Sequence, residues 1–239
     1  MDAGLKYLES DRLHHLDMLQ ALSRGTAEPV YMGADGVHLY DAFSEWHIIS
    51  AASPEVSARF LQAAGDASCF CVHQSFTRDQ LSRRGDFGFY LECTQTAYLK
   101  MEPPSCPETG VCELRVLTPD MAEWVNANYR QDPEELPYVR MLLERGVMTG
   151  AYVDGECAGF IGRYADGSIG LLDVRPEFRR RGIAEALLRD AVRSELRLGN
   201  VPFGQIAVGN AASTALNEKV GLTVSTESIW WLELKQPRS

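Results

Sequence analysis

The chain has 239 residues, 45% of them hydrophobic, which suits one large domain or two small ones and excludes a disordered chain. A net charge of −10 and a pI near 5.0 disfavour general nucleic-acid binding, because affinity for a phosphate backbone comes from clustered Lys and Arg. No apolar run approaches the ~20 residues of a membrane span, and the charged, amphipathic stretch 1–22 does not read as a signal peptide. The expected location is cytoplasmic, with neither membrane nor nucleic acid as a partner.

In chain order, residues 5–23 carry Leu13, Leu16, Leu19 and Leu22 at helical spacing. His14 and His15 are neighbours in sequence, so on a helix they point to different sides and read as solvated residues, not a metal pair. Strands are predicted at 37–40 and 46–50, a helix over 54–64 with Pro54 in its first turn, a strand at 68–73, a short helix over 77–84 and one or two strands within 88–101. This half shows no chemical constellation, and His38, His47 and His73 read as structural residues of strands. Cys69, Cys71, Cys93, Cys106, Cys112 and Cys157 form no Cys-x-x-Cys pair and have no His at zinc spacing. They read as reduced core thiols, and no metal is expected. Three prolines and a glycine in 103–110 cannot continue a helix or central strand. They divide the chain into an N-terminal domain 1–102, a linker 103–110 and a second domain 111–239.

The second half reads as a strand at 112–117, a helix from Pro119 to about Tyr129 capped by Thr118 or Asp120, and a helix opened by Pro133 that ends near Gly146. Strands 148–153 and 156–164 are joined by Asp154-Gly155, and Asp166-Gly167 turns the chain into strand 168–174. A strongly amphipathic helix covers 183–198, followed by strand 203–208, a helix 211–220 capped by Asn210, and strand 229–234. The order is β-α-α-β-β-β-α-β-α-β, with parallel pairing expected for the strands flanking helix 183–198. Trp230 and Trp231 alternate on the last strand, one buried and one partly covered; the sequence leaves a homodimer open.

The most informative stretch is Val174-Arg175-Pro176-Glu177-Phe178-Arg179-Arg180-Arg181-Gly182-Ile183-Ala184. Three arginines beside a helix N-terminus repel the positive end of the macrodipole, and a polyanion relieves that repulsion. The backbone N–H groups at the same end can hold phosphate oxygens.

Arg179-x-x-Gly182-x-Ala184 after a strand resembles the acyl-CoA-binding motif of the GNAT N-acetyltransferase superfamily. Asn210-x-x-Ser213-x-x-Leu216, followed by Lys219-Val220-Gly221-Leu222, is similar to that family's second CoA-contacting helix. The N-terminal half, strand 94–101 and Ile229-Trp230-Trp231-Leu232 resemble the glycine N-acyltransferase-like branch, in which a degenerate first half precedes a functional second half. The resemblance implies an α/β fold with a mixed sheet, splayed between the strand ending at Val174 and strand 203–208. It implies an N-acyltransferase that uses acetyl-CoA or another acyl-CoA, with a small-molecule amine or amino acid as acceptor. Pantetheine would lie along Leu172, Asp173 and Val174, with Asn210 and Ser213 on the same arm. The pyrophosphate would rest on the amides of Arg181, Gly182, Ile183 and Ala184, with Arg179 and Arg180 adding charge.

The family's two proton-handling positions fall on Asn217 and Ser168, neither of which is an acid or base near neutral pH. Asp173, Tyr164 and Glu177 are the substitutes at hand. The competing readings are a CoA-binding regulator with little turnover and a nucleotide-binding protein of another class. The latter lacks both G-x-x-x-x-G-K-[ST] and G-x-G-x-x-G.

Overall fold

The computed structural model describes residues 2–105, 110–129 and 135–235. Residues 106–109 of the predicted linker lie outside the described residues, as do Pro133 and Glu134 at the predicted start of a helix. The chain divides into two compact units, Met1–Thr96 with Gln205–Asn210 and Val224–Ser239, and Ala97–Gly204 with Ala211–Thr223. This division differs from one at 103–110: segments beyond residue 200 complete the first unit.

In the first unit α1 (Ala3–Glu9) and α2 (Leu16–Arg24) replace the single helix expected over 5–23. The break has a local cause, since the Ser10 hydroxyl donates to the Tyr7 carbonyl at 2.6 Å and Asp11 Oδ1 accepts from the His14 N–H at 3.2 Å. Such side chains compete with the helix for backbone partners. Strands β1 (Glu28–Gly33), β2 (Gly36–Asp41), β3 (Trp46–Ala51), β4 (Cys69–Val72) and β5 (Phe87–Ala97) alternate with α3 (Pro54–Ala63) and α4 (Ser75–Ser82). Strand β1 was not expected: it contains Pro29 and its first four residues are exposed, so it carries no buried periodicity.

The β3–α3–β4 segment is a parallel crossover; Ser53 caps α3 by accepting from the Val56 N–H, with Pro54 at its start. With β10 (Phe203–Ala207) and β11 (Thr223–Leu234) the sheet runs β1-β2-β3-β4-β11-β5-β10. Strand β11 pairs antiparallel with β4 (Trp230 opposite Val72, Trp231 opposite Cys71). Its alternation feeds two cores: Ile229 and Trp231 pack with Leu8, Met18 and Leu39, Trp230 and Leu232 with Phe60, Phe70 and Leu81.

The second unit contains β6 (Glu113–Val116), a 3-10 turn at Pro119–Met121, α5 (Ala122–Tyr129), α6 (Leu136–Glu144), β7 (Met148–Val153), β8 (Glu156–Arg163), β9 (Ile169–Val174), α7 (Ile183–Arg197) and α8 (Ala211–Val220). With β10 and β11 this is the element order read from the sequence. Strands β6-β7-β8-β9 form an antiparallel sheet. One face packs Ile183, Leu187, Leu188 and Val192 of α7; the other packs Val125, Val139, Leu142 and Leu143 of α5 and α6. Among the described residues no helix is long and apolar enough to cross a membrane.

Helix α7 is also tied to β8 by an ion pair between Arg163 and the fully buried Glu195, whose second oxygen accepts from Asn200 Nδ2 at 3.0 Å. Glu195→Ala leaves Arg163 without its carboxylate. Because that guanidinium is a quarter exposed, the expected loss, read by urea unfolding, is about 2 kcal/mol rather than the ~3–5 of a fully buried broken pair.

Candidate active site

The site is built within the second unit from β9, the turn after it and the start of α7. Strand β9 is irregular: Phe160 pairs with Asp173 and Gly162 with Gly170, so Leu171 and Leu172 face the single residue Ile161. This is a β-bulge, and Leu171 has a φ of 53°. A bulge breaks the ladder locally and leaves backbone groups of the extra residue unpaired. Leu171 packs toward α5 and α6, and Leu172 toward α7. The bulge leaves no trace in the sequence, which pointed to this strand end only through its place before the basic turn.

β9 and β10 share no ladder, each being the edge of its own sheet. Gly204 at the start of β10 lies against Ile169 of β9: a Cβ there would stand 2.4 Å from the Ile169 carbonyl oxygen, so only glycine fits.

After Val174 the chain makes a 3-10 turn over Pro176–Phe178, and Phe178 is buried as its anchor. Arg180 is left-handed with a φ of 61°, and Gly182, at 80°, is the residue before α7. The first helical bond runs from the Ala186 N–H to the Gly182 carbonyl at 2.9 Å, so the N–H groups of Ile183, Ala184 and Glu185 have no partner inside α7. Gly182 provides no side-chain cap. Glu185 sits in this first turn between Lys219 at 2.6 Å and Arg189 at 2.9 Å, which hold its carboxyl below the usual range.

The arginines divide by role. Arg175 is bound to Glu156 and Glu177. Arg179 folds back: its Nε donates to the Val174 carbonyl at 2.7 Å and its Nη2 is 3.8 Å from Asp173. Arg181 stacks on Phe178 at 5.2 Å. Arg180 is exposed and has no carboxylate partner among the described residues. Its left-handed backbone costs about 1 kcal/mol that glycine would not incur. Arg180→Gly is therefore expected to raise stability by about 0.5–1 kcal/mol while weakening acetyl-CoA binding several-fold, measured by thermal unfolding and calorimetry.

The structure also locates the other residues singled out. Glu177 is engaged by Arg175, whereas Asp173 is a quarter exposed with Arg179 as its neighbour. The Tyr164 hydroxyl is 3.0 Å from that of Tyr129, and its ring lies over Gly170. Ser168 is buried and donates to Asp166 at 2.7 Å. Asn217 is buried and donates to the Ser213 carbonyl at 2.9 Å. Ser213 belongs to the second unit and Asn210 to the first.

A second constellation lies in the first unit, where none was expected. His14 and His15 are not solvated helix residues; both are buried in the turn between α1 and α2. Asp17, Cys71 and His73 come together beside them, all buried. Burial pushes the His14 imidazole down, and holds His15 at about 4.

Residues 146–231 match the family model described as FR47-like protein. No curated protein matches the chain. Among solved structures a Drosophila protein is similar with a TM-score of 0.71 at 17% identity, over 96% of this chain and 93% of that one. A GCN5-related N-acetyltransferase from Kribbella flavida gives 0.61 at 13%, over 94% and 96%. One from Sphaerobacter thermophilus gives 0.59 at 15%, over 94% and 90%. At these identities the likeness is one of fold. It extends over both units of the chain, and the family match falls on the strands and helices that build the site. The chain has the fold of the GNAT superfamily, with residues 146–231 as its FR47-like segment.

Proposed function

We propose that the chain is an acyl-CoA-dependent N-acyltransferase acting on the amine of a small molecule or amino acid. The single observation that carries this reading is the turn from Arg179 to Ala184: a left-handed glycine opening α7, first-turn N–H groups with no partner inside the helix, and an exposed arginine without an ion-pair partner among the described residues. That set suits a diphosphate, which gathers several N–H donors and a cation at once. Arg181, Gly182, Ile183 and Ala184 offer the amides, Arg180 the charge. Arg179, held against Val174, shapes the turn and stays within reach of an anion at its edge.

The cosubstrate supplies a thioester whose thiol leaves readily. The protein's part is to hold it, present the acceptor and take up the amine's proton. The β9 bulge offers backbone groups beside Leu172 for the pantetheine amides or for a developing oxyanion. Asp173 is the carboxylate we assign to proton removal, through water. Glu177 is less suited, because it is held in an ion pair by Arg175. Likeness to the glycine N-acyltransferase branch supports an amino-acid acceptor.

A regulatory, non-catalytic reading draws support from Ser168 and Asn217, which are committed to internal hydrogen bonds. Thiol release from acetyl-CoA across a panel of amines and amino acids separates the two. Acceptor-dependent release of coenzyme A supports the transferase. Saturable binding of acetyl-CoA with no release across the panel overturns it in favour of a regulator.

A further inference from the structure

We propose that Asp17, Cys71 and His73 form a buried binding site for one divalent transition-metal cation of the zinc type, separate from the acyl-CoA cradle. Helix α2 supplies Asp17. Cys71 and His73 are two residues apart along β4 and its end, so they present to one face. The three ligand atoms lie within 4.8 Å of one another. Asp17 Oδ1 is 3.0 Å from His73 Nε2, and Cys71 Sγ is 3.8 Å from Asp17 Oδ2. Zinc bonds of ~2.0–2.1 Å to oxygen and nitrogen and ~2.3 Å to sulfur put tetrahedral ligand atoms ~3.3–3.6 Å apart. Asp17 and its two neighbours therefore need only small shifts to share an ion.

The imidazole is set up for this role. His73 Nδ1 donates to the Ile49 carbonyl at 3.2 Å, which fixes the tautomer and turns Nε2 inward. A backbone acceptor on the outer nitrogen is the usual support of a metal-bound histidine. In the absence of metal, Nε2 faces a carboxylate that can only accept, so a proton must reside between the two groups. The result is a buried hydrogen-bonded pair that shares one proton, with a thiol as its third member. A divalent cation displaces the shared proton and the thiol proton. Carboxylate and thiolate then balance the two positive charges, and the buried site stays neutral while two protons leave.

His14 is the second, independent observation. Its Nε2 donates to the His73 carbonyl at 3.0 Å, leaving a lone pair on Nδ1. That atom has no hydrogen-bond partner, and the side chain is only 6% exposed. Its ring centroid is 5.1 Å from that of His73. It lies outside the group of ligand atoms within 4.8 Å of one another, so taking the fourth position requires its ring to shift toward the ion. His15 is already spent, donating from Nδ1 to the Leu8 carbonyl and accepting at Nε2 from Ser50. Sulfur among the donors argues against calcium and magnesium, and the mixed sulfur, nitrogen and oxygen set suits Zn2+.

The test uses the full chain, produced in metal-depleted medium supplemented with Zn2+ or Co2+ so that the closed site loads during folding. Expected are one bound metal per chain and, for cobalt, thiolate-to-metal absorption in the near ultraviolet. Cys71→Ser should abolish that absorption, and His73→Gln should lower metal content about tenfold or more. Wild-type protein folded with zinc or cobalt yet holding no stoichiometric metal overturns the proposal, leaving an Asp17–His73 hydrogen bond. So does metal retained in both variants. Because wild-type protein alone gives a decisive answer, a variant that fails to fold does not rescue the idea.

Discussion

Gly182→Asp is expected to weaken acetyl-CoA binding about 100-fold while leaving the fold intact. A carboxylate ~5 Å from a phosphate charge costs about 3 kcal/mol at an effective dielectric of ~20, which is two orders of magnitude in Kd. The fold should tolerate the change. A Cβ at residue 182 meets only Val111 Cγ1, at 3.7 Å, an ordinary contact. The backbone there is left-handed, a conformation that Asp and Asn adopt more readily than other side chains. Gly182→Asn is the control: nearly the same shape without the charge, and so a smaller loss. Calorimetry at matched ionic strength compares the three proteins. Equal affinity for Asp and Asn would mean that no anion approaches this turn.

The first unit should lose stability in mild acid, and His38 should account for about 3 kcal/mol of that loss. His38, on β2, is fully buried, its Nε2 is 2.8 Å from His47 Nδ1 on β3, and its Nδ1 has no hydrogen-bond partner among the described residues. Burial, with the neighbouring His47 as a smaller cause, lowers its pKa from 6.5 to about 4. The folded protein thus keeps His38 neutral where the unfolded chain protonates it. Its contribution is complete above pH 6.5 and declines as pH falls from 6.5 to about 4, at ~1.4 kcal/mol per pH unit. His38→Leu removes this proton. Urea unfolding of both proteins from pH 7.5 to 4 should show the wild type losing about 3 kcal/mol more than the variant. Parallel stability curves would show that His38 titrates alike in both states.

How far the sequence anticipated the structure depends on whether the signal is local. Asp154-Gly155 and Asp166-Gly167 are turns that few residues can make, and Ile183 to Arg197 bury one clear face, so β7, β8, β9 and α7 stand where they were expected. The turn from Arg179 to Gly182 was legible because clustered positive charge at a helix N-terminus demands an explanation.

The β9 bulge was not legible: Ile169-Gly170-Leu171-Leu172 reads as an even apolar strand, and the offset exists only relative to β8. Pro29 and exposed side chains hid β1. Asp17 and His73 are 56 residues apart and meet only because α2 packs against the end of β4. Taken singly, each looked ordinary. The pairing of β11 with β4 is likewise a long-range choice. Trp230 and Trp231 signalled a two-sided strand but not which neighbour it would join.

The central claim is that the turn from Arg179 to Ala184 and the first turn of α7 hold the diphosphate of an acyl-CoA. Backbone hydrogen exchange of the full chain, with and without saturating acetyl-CoA, tests it most directly. The account predicts slowed exchange at the amides of Arg181, Gly182, Ile183 and Ala184. Saturable binding that leaves those four amides exchanging at their original rates would contradict it.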